Sequence, residues 1–428
     1  MKPVPTSIFL GATLAALIIL GSPAGFIGTA HAQAAATPRA ATRAVAGTHS
    51  ALSNHSPFDS SARRAAVAIR LYRELARRSG NVFVSPYSLE MALAMVQAGA
   101  RGSTAQAFAQ LLGSDPANLP AQPDGNGLTF TVANALWAQR RLPLRPGYVA
   151  EIKTKFVGQV QSLDFSGAPR VSARIINHWA SAKTHRRIDS LVSASEFDRR
   201  TSLLLTDAVY FKGAWADSFD PADTNQQTFH LPAGRRVRTD MMHHTARFYF
   251  YRGKTFKMLV LPFRGGHDAV EMLVLLPDHI HQLGALERQL KASTLDAWVG
   301  EAERELVEVS LPKFRNTDLL HLTAAAKALG IGIAFSKQQA DFSGIARLVA
   351  RRLYISDVLQ KTYVDLDEKG TEATAATAVI MEDIATEAYQ AQPERTIVFD
   401  ANHQFVYLIR DETTGDILFI GRMANPQE

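Results

Sequence analysis

The spacing of apolar residues divides much of the chain into helices and strands before any motif is considered. Over Ser61–Arg78 the apolar positions Val67, Ile69, Leu71 and Leu75 fall at helical spacing. Leu89–Ala98 and Thr104–Leu112 also predict helices, each entered after a serine N-cap candidate, Ser88 and Ser103. Leu203–Phe211, Lys257–Pro262, Glu271–Pro277 and Phe405–Ile409 predict strands. Some of these are apolar at every position, the pattern of a strand buried on both faces. Long strands separated by helices and hairpins predict an α+β fold with large sheets. No internal repeat is present.

One segment fits neither pattern simply. Thr362–Asp367 alternates like the end of a strand, and residues 367–378 then read DEKGTEATAATA before bulk returns at Val379-Ile380-Met381. Thr371, Ala373, Ala375, Thr377, Val379 and Met381 form an uncharged face, while Glu372, Thr374, Ala376, Ala378, Ile380 and Glu382 form the charged one. Period two with charge on one face belongs to a half-buried strand, so this run could be a solvated loop in one state and a sheet strand in another. An Ala/Thr-rich linker or a weak helix is the competing reading, and alanine propensity favours the helix.

In this stretch the chain resembles the serpin family. The family hinge is a Glu, a charged residue, Gly, Thr or Ser, Glu and then small residues. Glu368-Lys369-Gly370-Thr371-Glu372-Ala373 matches it position by position, and Ala375, Ala376 and Thr377 continue the run. The resemblance extends from about Phe58 to the C-terminus through blocks in the family's order. These are Asn81–Ser88, Ala98–Thr104, Tyr210-Phe211-Lys212-Gly213-Ala214-Trp215, Met241-Met242-His243, Val309–Phe314, Ala340–Ile345 and Phe399–Phe405. In the last of these Gln404 stands where the family usually has proline.

The resemblance implies a fold of three β-sheets, one of them large and central, with about nine helices and an exposed reactive-centre loop. It also implies suicide inhibition of a serine, or a cysteine, protease. The protease attacks the loop and forms an acyl-enzyme. The loop then inserts into the large sheet as a new strand before deacylation, carrying the covalently bound protease with it. Counting about sixteen residues beyond the hinge glutamate puts the scissile bond at Ile384-Ala385. The stretch from Ala385 to Phe405 is longer than usual, which leaves Tyr389 and Arg395 as outside candidates. An aliphatic or small scissile residue suits an elastase-like or subtilisin-like target. In the sheet-opening region the family usually carries Asn and His, and this chain has Asp207 and Gln360, with Ser85, Ser88 and Trp215 expected nearby. A carboxylate can accept from a glutamine amide, which predicts a compensated pair. A non-inhibitory serpin, acting as a carrier, chaperone or interaction protein, is the alternative. Such proteins are marked by bulky, charged or proline residues on the inserting face of the hinge, and Thr371, Ala373, Ala375 and Thr377 include none.

Composition narrows the remaining classes. Residues 1–32 carry one charge, Lys2, an apolar core Phe9–Leu20 and the small-residue end Ala30-His31-Ala32. That pattern predicts a signal peptide cleaved before Gln33 and an exported protein, periplasmic or extracellular, with no membrane anchor. Residues 33–57 have no hydrophobic period and predict a disordered linker, leaving 58–428 as the serpin-like domain. The chain contains no cysteine, so a disulfide framework and a thiol nucleophile are both excluded. The net charge of +6 is spread over scattered arginine pairs without interleaved aromatics, which predicts a solvated surface and no nucleic-acid partner. None of the common hydrolase, nucleotide or metal motifs occurs. A dispersed triad stays open as a third reading, because triads are defined by geometry. No cofactor or metal is implied, and a monomer is expected.

Overall fold

Two hydrogen-bonded sheets carry the fold, with the fifteen strands and eight α-helices of the described residues numbered along the chain. The computed structural model describes residues 57–115, 127–156, 158–198, 200–265, 270–348, 352–371 and 395–428, all within the unit Asn54–Glu428. The six-stranded sheet contains β2 (Leu128–Gln139), β3 (Gln159–Leu163), β4 (Leu203–Ala214), β10 (Phe314–His321), β11 (Ile355–Asp367) and β12 (Gly370–Thr371), in the order β10-β11-β12-β4-β2-β3. The nine-stranded sheet contains β1 (Val82–Val84), β5 (Asn225–His230), β6 (Arg236–Arg252), β7 (Phe256–Pro262), β8 (Val270–Pro277), β9 (Glu303–Pro312), β13 (Ile397–Asp400), β14 (Phe405–Asp411) and β15 (Ile417–Met423). The 17 residues of β6 pair with β5 at their start and β7 at their end, so the two smaller sheets of the implied layout run into one another.

The helices are α1 (Pro57–Leu75), α2 (Pro86–Gly99), α3 (Gly102–Leu112), α4 (Pro146–Lys155), α5 (Pro169–Lys183), α6 (Leu283–Gln289), α7 (Ala292–Gly300) and α8 (Thr323–Ala326). The start of α2 corrects the sequence reading. Its N-cap is Ser85, not Ser88: the Ser85 hydroxyl accepts the Ser88 N–H, and Pro86 at the first helical position needs no donor partner. Helix α3 begins at Gly102 after Arg101, whose side chain makes no cap, so Ser103 lies inside the helix. Among the described residues no helix is long and apolar enough to cross a membrane.

Strand β4 shows why an uninterrupted apolar run was needed. Leu203 and Leu205 pack into the cluster that contains α2, whereas Leu204, Ala208 and Tyr210 pack under α5 with Ile176 and Trp179. Both faces are covered, so both parities must be apolar. On either side of this region the sheet is held by antiparallel pairs, β2–β4 and β10–β11. Between them β11 meets β4 in parallel, from Ile355↔Leu203 to Tyr363↔Tyr210. This parallel seam lies at the centre of the sheet and sets the frame for the site.

Candidate functional site at the hinge and seam

At the upper end of the seam the two strands part and the hinge lies between them. The chain leaves β11 at Asp367, turns through Glu368-Lys369, and re-enters as β12. Gly370 is opposite Asp367 and Ala214, and Thr371 is opposite Leu366 and Gly213, antiparallel to both neighbours. Glycine is required here. Gly370 has φ +121°, and a Cβ would lie 2.1 Å from the Gly213 carbonyl oxygen. Thr371 is fully buried, and its hydroxyl accepts from the Gly213 N–H and donates to the Gly213 carbonyl.

Three successive carbonyls fix the turn. The Trp215 indole N–H donates to Asp367 O at 3.0 Å, the Phe219 N–H to Glu368 O at 2.9 Å, and the Trp215 N–H to Lys369 O at 3.0 Å. Trp215 is itself stacked on Phe263 at 4.5 Å. The Glu368 carboxylate accepts from Lys313 Nζ at 3.0 Å and from the Thr224 hydroxyl at 2.8 Å. Burial raises the Glu368 carboxyl, but the hydrogen bonds it accepts outweigh that and hold it below the ordinary glutamate value. Sequence reasoning missed Lys313, Thr224 and Phe219. Lys313 sat within a recognised block, but nothing in the sequence tied it to a residue 55 positions away.

Midway down the seam Asp207 of β4 is paired directly with Gln360 of β11. Gln360 Nε2 donates to Asp207 Oδ2 at 2.6 Å and to Ser85 O at 2.9 Å, and Gln360 Oε1 accepts the Ser85 N–H at 2.8 Å. The Ser88 hydroxyl donates to Asp207 Oδ1. Ser85 and Ser88 stand at the start of α2, so the helix N-terminus closes the network from beneath. All four residues are fully buried. The glutamine amide thus donates to the carboxylate, the exchange of roles expected for a compensated pair.

Burial pushes the Asp207 carboxyl up to about 7, although the Ser88 and Gln360 bonds work against the rise. Between the ordinary value of 3.8 and about 7 the folded protein holds a proton here that the unfolded chain has released. This group's stabilising contribution is therefore complete below about pH 4 and is lost as pH rises towards 7. The unfolding free energy of the wild type, from urea titrations, should fall across that window relative to Asp207→Asn, by on the order of 4 kcal/mol. Parallel pH profiles for the two proteins would refute it.

Glu372, Ala373, Ala375, Ala376, Thr377, the scissile pair Ile384-Ala385 and Tyr389 lie outside the described residues, as do the signal segment and residues 33–56 of the linker, whereas Pro57, assigned to the linker, already opens α1. Arg395 is described and exposed, just ahead of β13.

The comparisons with known proteins bear on this geometry. The family model for serpins, described as serine protease inhibitors, matches residues 62–426. The chain belongs to the serpin family. An uncharacterised serpin-like protein of Thermococcus kodakarensis is 37% identical over 84% of this chain and 84% of its own length. The human leukocyte elastase inhibitor is 31% identical over 81% of this serpin and 94% of the relative. Among solved structures, human thyroxine-binding globulin in complex with thyroxine matches with a TM-score of 0.75 at 25% identity, over 87% of this serpin and all of that chain. The family is thus one of protease inhibitors and not of catalytic enzymes, and its fold accommodates at least one small-molecule binder.

Proposed function

We propose that this serpin inhibits a serine-type endopeptidase, with a cysteine protease as the second target class, by loop cleavage and insertion. The observation that carries the reading is β12. Gly370 and Thr371 already form the first rung of an antiparallel strand between β11 and β4, above a parallel seam that continues below them. Extending the same register one residue at a time gives every later contact. Ala373 falls beside Phe211 and Ala375 beside Val209, both on the buried face, and Met381 ends beside Leu203. Thr377 falls between Asp207 and Gln360. Insertion must therefore break the Asp207–Gln360 bond, and the Thr377 hydroxyl arrives where each partner loses the other.

Residue type follows from this register. The inserting face lacks charge, and an unpaired charge buried there would be very costly. No proline lies between Glu368 and Ile384, so no ladder donor is lost. The likeness to leukocyte elastase inhibitors and the aliphatic Ile384 support an elastase-like target, with subtilisin-like enzymes as the second class. The carrier reading takes its support from the likeness to thyroxine-binding globulin and predicts a loop that is cut but never inserts. We also propose export, from the N-terminal pattern.

Incubation with a panel of elastase-like and subtilisin-like proteases should give an SDS-stable one-to-one complex and a C-terminal peptide beginning at Ala385. Mass spectrometry of the same exported sample should find the mature N-terminus at Gln33. Cleavage without any stable complex across the panel would favour the carrier reading. A peptide beginning after Tyr389 or Arg395 would overturn the placement of the bond.

A further inference from the structure

Strand β13 is the first described strand after the hinge and forms one edge of the nine-stranded sheet, where Asp400 is opposite Ser310 of β9. Its last residue and the turn beyond it carry a chain of polar contacts. Asn402 Nδ2 lies 2.7 Å from Asp400 Oδ2, Asn402 Oδ1 lies 3.0 Å from His403 Nδ1, and His403 Nε2 lies 2.9 Å from the carbonyl oxygen of Pro277, the last residue of β8. Gln404 Nε2 donates to Ile280 O at 2.7 Å, so two consecutive side chains grip the segment that follows β8. The chain has one hydrogen too few. The Pro277 carbonyl only accepts, so His403 must carry its proton on Nε2. In a neutral ring Nδ1 is then an acceptor, and it faces the Asn402 oxygen, another acceptor. Turning the amide over puts its NH2 on Nδ1 but sets its oxygen against the Asp400 carboxylate. One added proton resolves the conflict. A carboxyl hydrogen on Asp400 Oδ2 donates to Asn402, the Asn402 NH2 donates to His403 Nδ1, and the His403 Nε2–H donates to Pro277.

We propose that Asp400, Asn402 and His403 form a one-proton latch that ties the end of the edge strand β13 to the end of β8 and loosens when the proton is released. The surroundings favour the uncharged, singly protonated chain. Asp400 Oδ1 is buried with no hydrogen-bond partner among the described residues, which disfavours the carboxylate. Burial raises the Asp400 carboxyl above its ordinary value, against the Asn402 bond and the nearby His403, His243 and Lys257. Burial likewise lowers the His403 imidazole, helped by His230 and His279 and opposed by the Pro277 carbonyl and Asp400. Lys257 also feels Arg252 and Asp278, which are paired with each other at 2.6 Å. With Asp400 raised above 3.8, the folded protein keeps a proton that the unfolded chain has released. The latch is therefore fully closed below about pH 4 and opens as pH rises through the raised value. It joins strands already present in the intact protein, so it does not depend on loop insertion.

Amide exchange of the intact protein, read by mass spectrometry over residues 397–403, provides the test. Wild type and Asp400→Asn are compared at the same pH, which cancels the intrinsic pH dependence of exchange. In Asp400→Asn the side-chain NH2 supplies the missing hydrogen at every pH. The two proteins should match at about pH 4, and by about pH 8 the wild type should exchange faster by about fivefold or more. Asn402→Ala removes the middle of the chain and should exchange fast throughout. Equal exchange of wild type and Asp400→Asn at every pH would overturn the latch. So would the same pH-dependent gap between Asn402→Ala and Asn402→Ala/Asp400→Asn. Histidine NMR of the wild type gives a reading that needs no Asp400 variant, with the His403 signal identified by its loss in His403→Gln. The ring should be the neutral Nε2–H form near neutral pH, and its Nδ1 signal should move as Asp400 loses its proton. A ring that titrates alone at the ordinary value of 6.5, with no step linked to a carboxyl, refutes the shared proton.

Discussion

Cleavage in the loop is expected to raise the melting temperature of this serpin by on the order of 10 °C or more. A nick in an exposed loop of an ordinary protein leaves stability equal or lower, so the sign alone discriminates. The size follows from the register. Residues 372–381 would run the length of the seam with β4 on one side and β11 on the other, replacing one parallel ladder by two antiparallel ones. The net gain is on the order of ten main-chain hydrogen bonds at ~1 kcal/mol each, with burial of one apolar face in addition. Antiparallel pairing is also slightly the stronger form. Thermal melts of intact and loop-cleaved protein decide the matter. A melting temperature that is unchanged or lower after cleavage would mean that the seam stays shut.

Thr371→Arg should convert the inhibitor into a substrate. Thr371 is fully buried in the first rung, and its hydroxyl is committed to both main-chain groups of Gly213. A guanidinium there has no acidic partner facing it on the inserting face, and leaving a charge buried and unpaired costs several kcal/mol. Each 1.4 kcal/mol added to the insertion barrier slows it about tenfold, while deacylation by the protease is untouched. The number of inhibitor molecules consumed per protease should rise at least tenfold, with cleavage continuing at its former rate. An unchanged ratio would show that Thr371 takes no part in the inserted strand. Thr371→Ser should preserve inhibition, because the hydroxyl is retained.

The hydrophobic pattern was enough to find β4, β8 and β14, since each is apolar at nearly every position and each is covered on both faces. It also placed α1, α2 and α3 but not the other five described helices, and it erred at the entry of α2, where hydroxyl and proline geometry decides the cap: Ser85 rather than Ser88. The hinge was legible because its constraints are local. Gly370 is demanded by the two neighbouring strands, whatever else the fold contains. The Glu368–Lys313–Thr224 contact was not legible, because its partners come from separate segments with no periodic trace of their pairing. Asp207 and Gln360 could be named from the family's usual Asn and His. Their hydrogen bond depends on a parallel register between strands 153 residues apart, which only the folded sheet supplies.

The two-residue turn at Glu368-Lys369 also bears on how the chain reaches this state. Forming the hairpin of β11 with residues beyond Thr371 closes a very short loop, whereas zipping β11 to β4 closes one of about 150 residues. Local closure is faster and costs less chain entropy. If insertion occurs as proposed, the segment 372–381 would compete for β11 during synthesis and refolding ahead of β4. Chains that lose this race would complete the larger ladder early and emerge stable but spent, with no loop left to offer a protease. Recovery of activity after denaturation should thus lag behind recovery of secondary structure, and the shortfall would be permanent under native conditions.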